Sequence, residues 1–299
     1  MDSSPTIVAT LGPASSSPRT IEQLRFAGAD LARLNASHLD VESLKVLSHA
    51  AVDGGFGPEQ LILDIQGGKT RLGCLDEPLA VETGSELHLY YGETPDLPLP
   101  LPVDRPGFVN ALKVNDLLRV DDGRLAFRVT EKRGSVAKVQ VECGGIVRSR
   151  KGLAQVGKVF VANELLPRDL QLMKAALADG ISRFAVSYAV HSEQLKIVRC
   201  QVGSEAQIIA KIEHPDAIQN WRALANESDA FWLCRGDLGA EVGLENLPGL
   251  QRIMLNEAAK HLPLFVAGQV LHHTTVSSRP TRSEVCHLAD LVCQGAAGF

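Results

Sequence analysis

Residues 207–239 read QIIAKIEHPDAIQNWRALANESDAFWLCRGDLG, and this stretch decides the fold. Two short apolar runs, Gln207–Ile212 and Ala230–Cys234, are each followed by charged residues, and a helical pattern over Ala217–Ala225 separates them. A strand, a helix and a second strand of these lengths are typical of a βαβ unit, in which the two strands are parallel. The stretch therefore predicts an α/β fold with a parallel sheet.

The same alternation runs along most of the chain. Seven apolar runs predict strands, and helical patterns with capping signals lie between them. Residues 296–299 predict the opening of an eighth strand, so we expect a (β/α)8 barrel that is truncated at its eighth strand. The predicted strands are Thr6–Leu11, Leu31–Asn35, Leu61–Ile65, Ser182–Ser187, Gln207–Ile212, Ala230–Cys234 and Leu264–Ala267, and the predicted helices are Pro18–Ala27, Val41–Val52, Leu166–Ala178, His191–Gln201, Ala217–Ala225 and Leu250–Lys260.

Residues 72–152 interrupt this alternation. They are rich in short β-like runs and turns, including the turn signal Asp121-Asp122-Gly123, and five prolines fall between Pro95 and Pro106. We expect an all-β domain inserted after the third strand. The predicted domains are then 1–71 and 153–299, which together form the barrel, and 72–152, which forms the insert.

The composition is that of an ordinary globular protein. Of the 299 residues, 45% are hydrophobic and 22% are charged, and the formal net charge of −5 argues against nucleic acid as a partner. No apolar run has the roughly 18 residues that a membrane helix needs, and residues 1–5 show no signal peptide. The six scattered cysteines indicate free thiols in a reducing cytoplasm. We expect a cytoplasmic protein with no membrane partner.

Charged residues follow the predicted strands at their carboxyl ends, where barrels carry their active sites. Lys211 and Glu213 are two residues apart and therefore share a face, and Asp237 follows the next strand. The carboxylates of Glu213 and Asp237 should converge, which is unfavourable unless a cation lies between them. Two carboxylates with room for water and substrate oxygens suit Mg²⁺ or Mn²⁺. The alternative is that each acid caps a helix or pairs with Lys211.

Basic residues gather at the same ends. Lys211 lies beside the predicted metal site, Arg33 follows the second strand and Arg71 follows the third. Such a group favours a small ligand that carries both phosphate and carboxylate. Any one of these arginines alone would be interpreted as a solvated surface residue.

Seven motifs resemble those of the pyruvate kinase family in order and spacing. The resemblance runs from Thr6 to Gly295, and its specificity lies in the ordered set rather than in any one motif. The motifs are Thr10-Leu11-Gly12-Pro13-Ala14-Ser15, Ala32-Arg33-Leu34-Asn35-Ala36-Ser37-His38, Val120-Asp121-Asp122-Gly123, Lys151-Gly152-Leu153, Ile209-Ala210-Lys211-Ile212-Glu213, Arg235-Gly236-Asp237-Leu238-Gly239 and Ser278-Arg279-Pro280-Thr281-Arg282-Ser283-Glu284.

The resemblance implies an ATP:pyruvate phosphotransferase, which makes pyruvate and ATP from phosphoenolpyruvate and ADP. It implies that Glu213 and Asp237 hold the divalent metal and that Lys211 stabilises the transferring phosphoryl group and the enolate. It also implies that Arg33, with the backbone near Gly236, binds phosphoenolpyruvate. Phosphoryl transfer depends mainly on positioning and charge neutralisation, which these residue types supply.

The resemblance also implies nucleotide and monovalent-cation sites. Arg71 and Lys151 would contact the nucleotide phosphates, with His38 near them. The family's monovalent-cation site would be formed by Asn35, Ser37, Asp64 and the carbonyl of Ile65. Family members that need K⁺ carry a glutamate at the position of Lys69, so a lysine here predicts that K⁺ is not required, since its ammonium group supplies the missing positive charge. The alternative is that Lys69 is a solvated lysine.

The sequence departs from the family pattern at several positions. Gly268 stands where the family has a threonine whose hydroxyl contacts the substrate near its methylene. Gly67-Gly68 replaces the family's Gly-Pro, and Ala36 and Ala154 replace a phenylalanine and an asparagine. The loss of the threonine predicts little or no turnover. Gly268 remains one of the predicted substrate-binding positions, and binding is still expected because Arg33, Lys211, Glu213 and Asp237 are present.

The end of the sequence raises a separate expectation. The sequence stops inside the predicted eighth strand and lacks the family's C-terminal domain, which carries the allosteric site and part of the tetramer interface. We expect exposed edges on the first and seventh strands, a missing wall of the pocket, and either a fragment of a longer protein or a partner that covers the gap. A homo-oligomer is one such arrangement.

Two other functions remain open. A metal-dependent lyase or aldolase of the wider phosphoenolpyruvate/pyruvate barrel group would use the same Glu213 and Asp237 but no nucleotide, and the retained insert speaks against it. A degenerate paralogue would bind ligand or partner without turnover, and Gly268 favours it. Pyruvate formation with and without ADP distinguishes the two enzymes, and metal binding without turnover indicates the paralogue.

Overall fold

The computed structural model describes residues 4–121, 123–158, 160 and 164–299. Residues 1–3, which belong to the N-terminal segment, and Asp122, which belongs to the predicted turn, lie outside these ranges. The chain divides into two compact units. The first comprises Met1–Gly67 with Asn163–Phe299, and the second comprises Gly68–Ala162. The domain bounds predicted from the sequence remain a prediction.

The secondary structure follows the alternation of the sequence. The strands are β1 (Val8–Leu11), β2 (Leu31–Asn35), β3 (Leu61–Ile65), β4 (Leu79–Val81), β5 (Glu86–Tyr90), β6 (Pro100–Pro102), β7 (Leu117–Val120), β8 (Leu125–Arg133), β9 (Val136–Cys143), β10 (Gly145–Val147), β11 (Leu153–Gln155), β12 (Arg183–Val186), β13 (Gln207–Ile212), β14 (Ala230–Cys234) and β15 (Leu264–Ala267). The α-helices are α1 (Pro18–Phe26), α2 (Val41–Asp53), α3 (Phe108–Ala111), α4 (Pro167–Ala178), α5 (Ser192–Val202), α6 (Pro215–Gln219), α7 (Trp221–Ala225), α8 (Arg235–Val242), α9 (Leu247–Asn256) and α10 (Arg282–Cys293).

The first unit is built on a parallel sheet of seven strands. Their order is β1-β2-β3-β12-β13-β14-β15, and all seven predicted runs lie in it. Successive side chains of a strand point to opposite faces, so one face packs against the helices and the other fills the interior. In β3, Leu61, Leu63 and Ile65 belong to the large core beneath the helices, whereas Ile62 belongs to a small interior core with Trp232.

The last residues of the chain lie between β1 and β15. Gly298 pairs in parallel with Thr6 on one side and with Phe265 on the other. The amide of Val266 donates to the Gly298 carbonyl at 3.0 Å, and the amide of Phe299 donates to the Thr6 carbonyl at 2.9 Å. The prediction of exposed edges on the first and seventh strands is therefore wrong at their amino-terminal ends, because residues 297–299 pair with both. The predicted truncated barrel with an inserted β domain is confirmed.

The helices differ from prediction around β14. The single helix predicted over Ala217–Ala225 is two helices, α6 and α7, which meet at Asn220. Helix α8 was not predicted. It begins directly after β14 and ends at Gly243, whose φ of +83° suits a residue without a side chain. The two glycines and the weak apolar pattern of this segment are typical of a loop. In the structure the segment is a helix, and Asp237 lies in its first turn.

The second unit is nearly all β. It contains a six-stranded sheet in the order β11-β7-β8-β9-β5-β6 and a two-stranded antiparallel sheet of β10 and β4. Alternate residues of β8, such as Leu125, Phe127 and Val129, fill a separate hydrophobic core. Within the described residues of either unit, no helix is both long enough and apolar enough to cross a membrane.

Candidate active site

The carboxyl ends of the first unit's strands surround a cavity of about 390 Å³. Its lining includes all six of the residues that the sequence predicts for catalysis, substrate or divalent metal: Arg33, Lys211, Glu213, Gly236, Asp237 and Gly268. The rest of the lining is mostly apolar and includes Val8, Trp232, Phe265, Val266 and Phe299. The parallel strands bring these residues together, because their carboxyl ends meet at one end of a barrel.

Lys211 is the cation at the centre of the site. Its Nζ lies 3.1 Å from Oδ1 of Asp64 and 3.1 Å from Oε1 of Glu213, and it donates to Oγ of Ser187 at 2.9 Å. The residue is only 7% exposed. Burial alone would lower the pKa of Lys211, but Asp64 and Glu213 outweigh it and raise the pKa above its ordinary value. Lys211 therefore carries a fixed positive charge.

Arg33 provides a second fixed cation. Its Nε donates to Oδ2 of Asp64 at 2.7 Å and its Nη2 to the same oxygen at 2.5 Å, while Nη1 donates to Oγ1 of Thr10 at 3.1 Å. Burial opposes the charge, but Asp64 raises the pKa of Arg33 overall. Asp64 thus holds both cations of the site, since it also pairs with Lys211.

Glu213 and Asp237 are the two carboxylates of the predicted metal site. Glu213 is 1% exposed, and its Oε2 accepts the backbone N–H of Tyr188 at 2.8 Å. Asp237 lies in the first turn of α8, and both residues line the cavity. Across the described residues, no group of three or more His, Cys, Asp or Glu is arranged to bind a metal. Two carboxylates are nevertheless a suitable set for Mg²⁺, which usually keeps several waters and takes further oxygens from its substrate.

The predicted monovalent-cation residues are partly engaged by the protein. Oδ1 of Asn35 accepts the backbone N–H of Ser37 at 3.2 Å, which caps the short 3₁₀ helix that follows β2. The carbonyl of Ile65 accepts the hydroxyl of Ser187 at 2.9 Å. Lys69 belongs to the second unit, where its carbonyl accepts Nη2 of Arg105 at 3.2 Å.

The predicted nucleotide residues fall in both units. His38 lies in the first unit and lines a second cavity of about 940 Å³ with Gly12, Pro13 and Asn35 among its walls. Arg71 and Lys151 lie in the second unit on paired segments, since Arg71 forms an antiparallel bridge with Gly152. Nη1 of Arg71 donates to the Arg150 carbonyl at 2.8 Å, and Lys151 forms an ion pair with Asp121 at 2.8 Å.

Gly268 has a backbone conformation that disfavours a side chain at this position. Its φ is +94°, a conformation that residues with a side chain rarely adopt. A Cβ placed there would lie 3.4 Å from the backbone nitrogen of Gly236. The Gly268 carbonyl accepts Nε of Arg235 at 3.1 Å, and Nη1 of Arg235 donates to Nε2 of His287 at 2.8 Å.

Sequence reasoning missed several residues of the site. Ser187, Tyr188 and Arg235 were not assigned roles, although each directly adjoins a predicted strand or a predicted site residue. Cys234 also lines the cavity, and burial raises the pKa of its thiol well above the ordinary value, so the thiol stays protonated. These four residues lie at or directly after the carboxyl ends of β12 and β14, and this position was the feature of the sequence that could have identified them.

Together, the fold and the cluster define a (β/α)8-type barrel with a group of charged residues at the carboxyl ends of its strands. The family model for the barrel domain of pyruvate kinase matches residues 3–298 of this chain. The chain belongs to the pyruvate kinase family.

Relatives in three organisms illustrate the match. Pyruvate kinase of Methylorubrum extorquens is 35% identical over 97% of this chain and 62% of its own length. Pyruvate kinase of Aeropyrum pernix is 34% identical over 97% of this chain and 64% of its own length. The chloroplastic plastidial pyruvate kinase 3 of Arabidopsis thaliana is 31% identical, again over 97% of this chain, which covers 52% of that relative. The chain therefore spans between about half and two thirds of the length of these relatives.

Proposed function

We propose that this chain carries the catalytic barrel of a pyruvate kinase, which transfers a phosphoryl group from phosphoenolpyruvate to ADP. The observation that carries the proposal is the cavity lined by Arg33, Lys211, Glu213 and Asp237. Two cations and two carboxylates at one end of a barrel suit an anionic substrate bound together with a divalent metal. Family membership supports the same reaction.

Arg33 and Lys211 bind and orient the substrate in this proposal. Both face the cavity as cations whose pKa values are raised by Asp64. Their charges are held by ion pairs before substrate arrives, so little reorganisation is needed when negative charge develops on the transferring group. Gly236 and Gly268 also line the cavity, and as glycines they present their backbone to it.

Glu213 and Asp237 would hold Mg²⁺ or Mn²⁺ in this cavity. When bound, the metal neutralises negative charge on the phosphoryl and enolate oxygens. The donor set fits this role, because both carboxylates line the same cavity and such metals complete their coordination with water and substrate.

The reaction exchanges one oxygen–phosphorus bond for another. The bond from phosphorus to the enol oxygen breaks while a bond to a β-phosphate oxygen of ADP forms. The enolate that remains takes a proton at its methylene carbon and becomes pyruvate. Lys211 supplies a positive charge beside the enolate in this proposal. Asp64 and Glu213 hold its pKa above the ordinary value, so its ammonium group releases a proton less readily. Gly268 offers no side-chain donor near the methylene.

The nucleotide sites and cation requirements are further parts of the proposal. We assign Arg71, Lys151 and His38 to nucleotide binding. The cavity that His38 lines in the first unit has a volume of about 940 Å³, which is ample for a nucleotide. We also propose that K⁺ is not required, because Lys69 supplies a positive charge. A cytoplasmic location is supported by five exposed free cysteines, which are typical of a reducing compartment.

The test is pyruvate formation from phosphoenolpyruvate with and without ADP, and with and without Mg²⁺. If the proposal is correct, pyruvate forms only when both ADP and Mg²⁺ are present. A second candidate, a paralogue that binds ligand without turnover, is favoured by the missing side chain at Gly268. If the chain is such a paralogue, Mn²⁺ and phosphoenolpyruvate bind to it and no pyruvate forms under any of these conditions.

A further inference from the structure

Tyr188 contacts Glu213, a proposed metal ligand, and Glu241, a second acid on the helix that carries Asp237. Its backbone N–H donates to Oε2 of Glu213 at 2.8 Å, and its hydroxyl donates to Oε1 of Glu241 at 3.2 Å. The residue follows β12 with a φ of +50°, a left-handed conformation that is uncommon for a large side chain. This backbone turn lets one residue reach Glu213 with its main chain and α8 with its ring.

Glu241 lies on the same face of α8 as Asp237. The two residues are four positions apart within Arg235–Val242, so their side chains are one helical turn from each other. Within the described ranges no third acidic group completes a metal cluster with Glu213 and Asp237. Glu213 and Asp237 line the cavity whereas Glu241 is not part of its lining, so Glu241 is assigned a place beside the ligands rather than the role of a ligand.

The electrostatics agree with this placement. Burial raises the pKa of the Tyr188 hydroxyl well above its ordinary value, and Asp237, Glu241 and Glu213 raise it further. The ring thus lies within the field of both proposed ligands and of Glu241.

We propose that Tyr188 and Glu241 are a positioning pair for the divalent cation: Tyr188 fixes Glu213 through its amide and Glu241 through its hydroxyl, and Glu241 accepts hydrogen bonds from water bound to the cation. This inference rests on the proposed function, since it takes Glu213 and Asp237 as the ligands. Mg²⁺ and Mn²⁺ retain several waters in such sites, and groups that hydrogen-bond to the ligands and waters orient them.

The test measures Mn²⁺ affinity by electron paramagnetic resonance on the whole chain. Tyr188→Phe removes the hydroxyl and keeps the amide and the ring, and Glu241→Gln removes the charge at nearly constant shape. Each is expected to raise the Kd for Mn²⁺ by about 10-fold or more, as losses of second-sphere partners commonly do. The double variant should be no worse than the worse single variant, because both remove the same coupled pair.

Water proton relaxation by bound Mn²⁺ gives an independent readout. Glu241→Gln should leave the number of metal-bound waters unchanged, because Glu241 is not a direct ligand. One additional bound water would make Glu241 a ligand and overturn the inference.

Tyr90→Phe is the matched control. The Tyr90 hydroxyl lies 2.9 Å from Oγ1 of Thr94 in the second unit, so this change also removes a hydrogen-bonded tyrosine hydroxyl. It should leave the Kd for Mn²⁺ unchanged, and thermal unfolding should show that all variants are folded. If Tyr188→Phe lowers the Tm but leaves the Kd for Mn²⁺ unchanged, the role of Tyr188 is only structural and the inference is wrong.

Asp237→Asn separates this inference from the proposed function. If Asp237→Asn abolishes tight Mn²⁺ binding while Tyr188→Phe and Glu241→Gln do not weaken it, the metal site stands and the positioning pair falls. If Asp237→Asn binds Mn²⁺ as tightly as the parent, the metal site itself is wrong, and the positioning pair falls with it.

Discussion

The Nζ of Lys211 lies 3.1 Å from Oε1 of Glu213. Lys211 lies on β13, and Glu213 directly follows the last residue of that strand. Positions two apart in a strand share a face, so this pair points into the barrel. The contact places a proposed catalytic cation directly against a proposed metal ligand. Asp64 provides a second anion for Lys211, so the cation is held from two sides in the absence of substrate.

Replacing Lys211 should destabilise the protein. Lys211→Met leaves Asp64 and Glu213 buried with one less cation, and breaking such a buried pair typically costs about 3–5 kcal/mol of the free energy of unfolding. Urea unfolding of the parent and the variant measures this loss. A variant as stable as the parent would contradict the assigned ion pairs.

The pH dependence of this stabilisation follows from the sign of the pKa shift. The folded-state pKa of Lys211 is raised above its unfolded value, so its contribution is fully present below about pH 10.4 and is lost as the pH rises through the folded pKa. The stability difference between parent and Lys211→Met should therefore be constant from about pH 6 to 9. Thermal unfolding across this range checks it, and a difference that halves by pH 8 would be inconsistent with a raised pKa.

Asp237→Asn should weaken Mn²⁺ binding. The change keeps the shape of the side chain but removes one of the two carboxylates. The Kd should therefore rise by about 10-fold or more, at least as much as when a residue that hydrogen-bonds to a metal ligand is removed. Electron paramagnetic resonance of free Mn²⁺ during titration measures the Kd. Asp216→Asn, which changes an acid on α6, is the control and should bind as the parent does.

Potassium should have no effect on any turnover. Activity in buffers free of Na⁺ and K⁺ should equal that in K⁺, and Lys69→Glu should create a K⁺ requirement, because it replaces the tethered positive charge by a negative one. Lys174→Glu, on the exposed face of α4, controls for charge reversal alone. A parent that is inactive without K⁺ and rescued by it would rule out the role of Lys69.

A side chain at position 268 should strain the backbone. Gly268→Ala forces a residue with a Cβ to keep a φ of +94°, and left-handed conformations cost about 1–2 kcal/mol per residue. Gly12→Ala is the control, since Gly12 has an extended backbone and open space around its Cβ position. Chemical denaturation should show a loss for Gly268→Ala only. Equal stabilities would indicate that the loop relaxes, and would also make Gly268→Thr a fair way to restore the family's hydroxyl.

The barrel was predictable because its signals are local. Each strand of the first unit is a short apolar run with charged or small residues at its end, and the seven observed strands fall within or on the predicted runs. Helix α8 was not predictable in the same way, since Arg235-Gly236-Asp237-Leu238-Gly239 has the composition of a loop and becomes helical by packing Leu238 into the core. Local propensity is a weak guide where tertiary contacts decide.

The site was predictable in its residues but not in its connections. Parallel strands bring Arg33, Lys211 and Asp237 to one end of the barrel whatever the details. The sequence could not show that Asp64 pairs with both Arg33 and Lys211, because this depends on side-chain geometry between strands far apart in the chain. The role of Tyr188 was hidden for the same reason, since its two contacts depend on a left-handed backbone turn.

The proposed phosphoryl transfer can be followed by ³¹P nuclear magnetic resonance of phosphoenolpyruvate mixed with ADP, Mg²⁺ and either this chain or a longer natural form that contains it. If the chain catalyses the proposed transfer, the phosphoenolpyruvate signal decays as ATP appears in equal amount. Asp237→Asn or omission of Mg²⁺ should then stop the transfer. Release of inorganic phosphate or pyruvate without ADP, or no loss of phosphoenolpyruvate from a longer form that still binds Mn²⁺, would contradict the proposal.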